Sequence, residues 1–294
     1  MFRRKLFRLK LPSRTLVLGK RTHIMGVLNV TPDSFSDGSK FYNEEQAIEH
    51  ALQMERAGAD LIDIGGESTR PGSERISAEE EWRRLFPVLS GLRRLLKIPI
   101  SIDTQKAEIA ENALDAGAEI INDISGLKND SRIAEVAARH RIPLILMHMR
   151  GEPRTMQKGP FARDVVGDVL QGLRKSVSIA QKAGIAKSQI ILDPGIGFGK
   201  SYAQNYELLQ KLAQLARLGY PLLVGTSRKG FLGATLARDG KPALPEERIW
   251  GTAATVTASI LNGAHIVRVH DVAEIAQVAR AADRVLDPGL APRN

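Results

Sequence analysis

Short apolar runs rich in β-branched residues recur along the chain at 24–28 (IMGVL), 61–64 (LIDI), 98–102 (IPISI), 119–124 (EIINDI), 143–147 (PLILM), 190–192 (IIL), 221–224 (PLLV) and 266–269 (IVRV). Their length suits strands better than helices. Between them, apolar residues fall at helical spacing. Over 44–57, Ala47, Ile48, Ala51, Leu52 and Met54 alternate with Glu and Gln at i, i+3, i+4, and 78–96, 105–116, 131–140, 162–183, 203–218, 246–262 and 272–286 read the same way. Strand–helix alternation predicts a parallel sheet. Eight such units in 294 residues predict an α/β fold, a single (β/α)8 TIM barrel, with an open doubly wound sheet as the alternative. Ahead of the first barrel strand, Leu16-Val17-Leu18, a Gly19-Lys20 turn and the strand from Ile24 read as a β-hairpin, expected to plug the bottom of the barrel. The expected organisation is therefore a basic N-terminal arm and hairpin at 1–22 and one barrel at 23–290, with no linker between two domains.

A weak internal repeat supports this reading. Gly58-Ala59, Gly117-Ala118 and Gly263-Ala264 each end a helical pattern, where glycine suits the left-handed position that closes a helix. Five residues after each glycine a polar side chain interrupts an apolar strand: Asp63, Asn122 and Arg268. Three units in one phase resemble copies of one βα block.

Charge changes the picture little. The formal net charge is +9, but residues 1–22 hold eight Lys/Arg and no acid, so nine minus eight leaves about +1 for the rest. The arm reads as a solvated extension, and removal of residues 1–10 is expected to leave turnover intact. A transit peptide or an anionic contact is the competing reading of the arm. The absence of cysteine excludes a disulfide scaffold, a Cys-ligated zinc and a thiol nucleophile. No apolar run approaches the ~20 residues of a membrane-spanning helix.

In a barrel of this kind chemistry gathers at the C-terminal ends of the strands. Those ends carry Asn29, Asp63 with Glu67, Asp103, Asn122, His148, Asp193, Ser227-Arg228-Lys229, and Arg268 with His270. One such residue could simply cap the next helix; a ring of them predicts a polar site. Separated carboxylates, amides and cations suit a ligand with N–H donors at one end and phosphate at the other. Of the ring, Asp63 and Glu67 are expected to orient the following loop, and His148 to sit at the pocket rim. The segment Pro194–Ser201 nearly matches a P-loop, but Pro194 stands where the first glycine belongs and has neither the N–H nor the backbone freedom a phosphate cradle needs. The glycine-rich loops 29–38 and 65–73 are expected to be lids.

The segments MGVLNVTPDSFSDG (25–38), DIGGESTRPGS (63–73), SIDT (101–104), INDISG (121–126), MHM (147–149), ILDPGIGFGK (191–200), GTSRKGFLG (225–233) and GAHIVRVHDV (263–272) resemble the dihydropteroate synthase family, in order, over about residues 24–275. The resemblance implies condensation of 6-hydroxymethyl-7,8-dihydropterin pyrophosphate with 4-aminobenzoate in folate biosynthesis, through SN1-like loss of pyrophosphate. It implies that Asp103, Asn122, Asp193 and Lys229 hold the pterin, with Met147 and Phe198 as apolar walls. Asp103, Asp193, Lys229 and Arg268 would carry catalysis. Asn29 would bind Mg2+, and Asn29, Arg268 and His270 the pyrophosphate. Phe35, Thr69, Arg70, Pro71 and Ser227 would serve the aminobenzoate and the loops. A cytoplasmic homodimer with small-molecule substrates, and no nucleic-acid or membrane partner, is also implied. Two rivals remain: a pterin-binding methyltetrahydrofolate methyltransferase, which would need neither Thr69-Arg70-Pro71 nor Ser227-Arg228-Lys229, and a non-catalytic pterin-binding paralogue.

Overall fold

A computed structural model describes residues 4–31, 44–68, 72–152 and 154–290. A two-stranded antiparallel hairpin, β1 (Phe7–Lys10) and β2 (Thr15–Leu18), comes first. Eight parallel strands follow: β3 (His23–Asn29), β4 (Leu61–Gly65), β5 (Ile100–Asp103), β6 (Ile120–Asp123), β7 (Leu144–Met147), β8 (Ile190–Asp193), β9 (Leu223–Val224) and β10 (Ile266–Val269). Their spatial order is β8-β7-β6-β5-β4-β3-β10-β9, and a Leu192–Leu222 bridge brings the β9 edge back to β8. The sheet is thus a nearly closed barrel.

The helices between are α1 (Glu44–Arg56), α2 (Ala78–Leu95), α3 (Ala107–Asp115), α4 (Arg132–His140), α5 (Val165–Lys182), α6 (Tyr202–Gln210), α7 (Leu212–Ala216), α8 (Gly230–Thr235), α9 (Ile249–Leu261) and α10 (Val272–Leu286). The expected helix over 203–218 is split at Lys211, and α8 is a short addition. Strand β9 is only two residues long. Pro221 just before it has no N–H for a ladder, although its carbonyl accepts from Leu192.

Two large apolar cores result, beside a small third cluster of Ile124, Met147, Met149, Met156 and Phe198. One lies between the strands and the helices, packing Ile62, Ile64, Ile102 and Leu146 against Leu85, Leu89, Ile133 and Leu173. The other fills the lower barrel, where Met25, Leu61, Ile120, Ile145, Ile191, Leu223 and Ile266 meet Leu9, Leu11 and Leu18 of the hairpin. The hairpin therefore plugs the bottom, as expected, but its strands differ from the expected pair. Leu16–Leu18 pairs with Phe7–Lys10 through a turn at 11–14, while Gly19 (φ +101°) merely redirects the chain into β3. An added Cβ at Gly19 would lie 2.4 Å from the Lys5 carbonyl oxygen.

The reading of the arm as a solvated extension is corrected too. Arg4 is buried, and its guanidinium donates to Thr22 Oγ1 at 2.7 Å and the Ala264 carbonyl at 3.1 Å, and pairs with Asp283 of α10. Asp283 also accepts from the Thr22 N–H at 2.6 Å. Removing one partner of a buried pair leaves an uncompensated charge. Asp283→Ala is expected to lower stability by about 3 kcal/mol, and a denaturant midpoint matching the wild type would refute this bolt.

Candidate active site

The inward-facing side chains at the C-terminal strand ends form one pocket. Asp103, Met147 and Asp193 are the last residues of β5, β7 and β8; Asn122 and Arg268 are next to last in β6 and β10. Together with Phe198, Ser227, Lys229 and His270 they line a single concavity. Nine residues expected at the site are thereby brought together. The pocket also takes Ile124, Gly195, Ile196 and Gly225, which sequence reasoning missed. Apolar and glycine residues at strand ends carry no chemical signal of their own.

Arg268 stands at the centre. Its Nε donates to Asp63 at 2.6 Å and its other arm to Asp103 at 2.8 Å. Burial pushes the Asp103 carboxyl up to about 7, and the Arg268 charge only partly offsets this. Burial likewise raises Asp193 to about 6, against the Gly195 N–H that donates to it at 2.6 Å. Burial and then the repulsion of Arg268 bring Lys229 down to about 8. The Lys229 ammonium lies 4.0 Å above the Phe198 ring centroid, so wall and cation are coupled. Burial, and then Arg268, push the His270 imidazole down to about 3, which makes it neutral near pH 7. Its Nδ1 meets Ser227 Oγ at 3.0 Å, and the same oxygen accepts from the His270 backbone N–H.

Several expected residues fall elsewhere. Asn29 ends β3, half-buried and in register with Gly65, beside the pocket and not among its lining. Phe35, Thr69, Arg70 and Pro71 lie outside the described residues. Arg228 turns away and donates to Asp271 at 3.1 Å. Glu67 behaves as expected: it anchors its loop by accepting from Lys106, which also bridges to Glu81 of α2. Asp63 does not orient that loop. It is fully buried inside the barrel, because position 63 of a strand whose Leu61 faces inward also faces inward.

His148 is likewise not a rim residue. It is buried behind the pocket, with Nδ1 3.2 Å from Lys200 Nζ and Nε2 3.5 Å from Asp168. Lys200, 2% exposed, donates to the carbonyls of His148 at 3.1 Å and Phe198 at 2.9 Å. It therefore ties the 194–200 loop, with its wall residues Ile196 and Phe198, onto the end of β7. A lysine committed to those carbonyls is turned inward, which removes the P-loop reading.

A barrel with a polar, cation-bearing pocket at its C-terminal mouth defines a (β/α)8-barrel enzyme of small, polar ligands. Residues 25–270 match the family described as pterin binding enzyme. A dihydropteroate synthase of Synechocystis sp. is 52% identical over 265 residues, covering 90% of each protein. The Xanthomonas albilineans dihydropteroate synthase solved with 4-aminobenzoic acid is 41% identical, with a TM-score of 0.88 over 98% of this chain and 100% of that one. A Yersinia pestis dihydropteroate synthase in a sulfonamide drug complex is 42% identical, with a TM-score of 0.87 over 95% and 98%. The chain belongs to the dihydropteroate synthase family of pterin-binding enzymes.

Proposed function

We propose that this chain is a transferase of folate biosynthesis that joins 6-hydroxymethyl-7,8-dihydropterin pyrophosphate to 4-aminobenzoate, giving 7,8-dihydropteroate and pyrophosphate. The observation that carries the reading is the meeting of Asp103, Asn122, Asp193, Lys229 and Arg268 in one pocket walled by Met147 and Phe198. Four of these polar groups come from four different strands, an expensive arrangement for a mere core. Among the described residues Asn122 Oδ1 is buried without a hydrogen-bond partner, which suits an N–H donor of a pterin edge.

In this reading Asp103, Asn122, Asp193 and Lys229 hold the ring. As the bond from the methylene carbon to the pyrophosphate oxygen breaks, positive charge develops on the pterin, and the carboxylates of Asp103 and Asp193 stabilise it. Arg268, and neutral His270 through its ring N–H, hold the departing phosphates. The amine nitrogen of 4-aminobenzoate, placed on the Ser227 side, attacks the carbon and then releases a proton. Phe35, Thr69, Arg70 and Pro71 are assigned to loops that exclude water. Among the described residues no group of three His, Cys, Asp or Glu could hold a metal. Mg2+ commonly takes one or two protein oxygens and completes its shell with phosphate and water, so the single amide oxygen of Asn29 fits it as a ligand. When bound, the ion neutralises charge on the pyrophosphate.

Purified protein with both substrates and Mg2+ should release dihydropteroate and pyrophosphate together, and a sulfonamide should compete with 4-aminobenzoate. Pterin binding without product would instead favour the binding-only reading. The pH profile adds a second check. Asp103 and Asp193 carry negative charge and accept N–H groups on both oxygens only once ionised, above about 6 to 7, and Lys229 loses its charge above about 8. Hence kcat/KM for the pterin substrate is expected to be bell-shaped, with its maximum between those limbs. A profile level from pH 5 to 9 would remove these groups from the reaction.

The same family reading assigns a homodimer built on outer helices. Trp250 at the start of α9 is 79% exposed, and Tyr202 and Tyr206 of α6 are also exposed. Trp250→Glu is expected to shift the protein toward monomer in sedimentation velocity; an unchanged dimer would place the interface elsewhere. Among the described residues no helix is long and apolar enough to cross a membrane.

A further inference from the structure

The three polar residues that stand five positions after the helix-ending glycines are joined to one another. Gly58, Gly117 and Gly263 have φ of +104°, +109° and +106°, so each unit turns from helix to strand alike. The side chains of Asp63, Asn122 and Arg268 then enter the barrel from β4, β6 and β10. One oxygen of Asp63, Oδ2, accepts from Asn122 Nδ2 at 2.9 Å and from Arg268 Nε at 2.6 Å. Asn122 reaches Asp63 across β5, where the residue in register with Asp63 is the small Ser101.

A carboxylate paired with a guanidinium is an acceptor, so the Asn122 amide can meet it only through its NH2 group. That fixes the other end. Asn122 Oδ1 becomes the atom offered to the interior, and it is buried with no hydrogen-bond partner among the described residues. Asn122 lines the pocket, whereas Asp63 does not.

We propose that Asp63 is a positioning residue that sets the hydrogen-bond polarity of the pocket: by holding Asn122 Nδ2 it turns Asn122 Oδ1 to the ligand, and the site thereby selects an N–H donor at that place. The inference rests on the pterin reading. It assigns Asp63 a specificity role exercised through Asn122, with Arg268 held in position by the same oxygen.

The test removes the acceptor and compares a variant that keeps it. Oδ2 alone meets both Asn122 and Arg268, so in Asp63→Asn an amide oxygen in its place keeps both hydrogen bonds. Asp63→Leu is similar in size and has no acceptor, so the Asn122 NH2 group loses its partner and the amide is free to turn. Leucine and asparagine are both close to aspartate in size, so a role in packing alone predicts no difference between the two variants.

Titration calorimetry of the full-length variants with 6-hydroxymethylpterin, which lacks the leaving group and cannot react, reads the result. Asp63→Leu is expected to bind about 30-fold more weakly, and Asp63→Asn to stay within about 3-fold of the wild type. A folded leucine variant that binds like the wild type, or an asparagine variant as weak as the leucine one, would overturn the proposal. If Asp63→Leu does not fold, Asp63→Ala is read in its place, and failure of both to fold makes Asp63 a folding residue and overturns the proposal. A wild-type protein that does not bind 6-hydroxymethylpterin would fail the pterin reading itself, before any variant is compared.

Discussion

Asp103→Asn is expected to reduce kcat/KM for the pterin substrate by about a thousandfold while the protein stays folded. The substitution keeps the shape and removes the charge. Asp103 ends β5 beneath the mouth of the pocket and accepts from Arg268 at 2.8 Å. An amide there presents an NH2 group either to the guanidinium or to the donor edge of the ligand, and one of them is left unpaired. Breaking a buried charge pair on one side costs about 3 to 5 kcal/mol, which corresponds to at least two to three orders of magnitude in rate when it falls on the transition state. Charge develops on the pterin only as its bond to pyrophosphate breaks, so the loss should fall on kcat as well as on KM. Steady-state kinetics with a parallel melting curve tests this. Near-normal turnover would remove Asp103 from the mechanism; a protein that melts early would make the residue a support of the fold.

Gly195→Ala is expected to lower stability and ligand affinity together. Gly195 has φ +65°, and a Cβ built on it lies 1.9 Å from the His148 carbonyl oxygen. That carbonyl cannot retreat freely, because it also accepts from Lys200. A left-handed backbone costs an alanine about 1 kcal/mol or more, and forced overpacking adds about 1 to 3 kcal/mol. A loss of about 3 kcal/mol is the central expectation. The same loop carries Ile196 and Phe198 and gives Asp193 its N–H donor, so pterin affinity should fall with stability. An alanine variant that melts and binds like the wild type would show that the loop can move off β7.

The barrel was legible because its units repeat: eight apolar runs, eight helical stretches, and glycines in phase. The polar ring was legible for a related reason, since catalytic side chains of a barrel have few places to stand. Asp63 was misjudged by its nearness in sequence to the loop, when the alternation of its strand, with Leu61 facing the barrel, decides its direction. Phe7-Arg8-Leu9-Lys10 lies within a charged arm, yet its period of two marks a strand with Leu9 on its buried face, and that strand is the partner of β2. Pro194 rules out a phosphate cradle at 194–201, but only the folded chain gives Lys200 its role, with its ammonium turned inward. Asn29 and the wall residues Ile124 and Ile196 depend on which side chains meet across strands, information that no local pattern carries.

Strand β9 is two residues long and meets β8 through the bridge at Leu192 and Leu222, so the barrel is a split ring with a narrow gap. Asp193 stands on one lip of that gap, and Ser227 and Lys229 follow the other. A molecule that grips both lips acts as a clasp. Part of its affinity would go into drawing the ring together, so an occupied barrel is expected to exchange its β9 amides more slowly than an empty one.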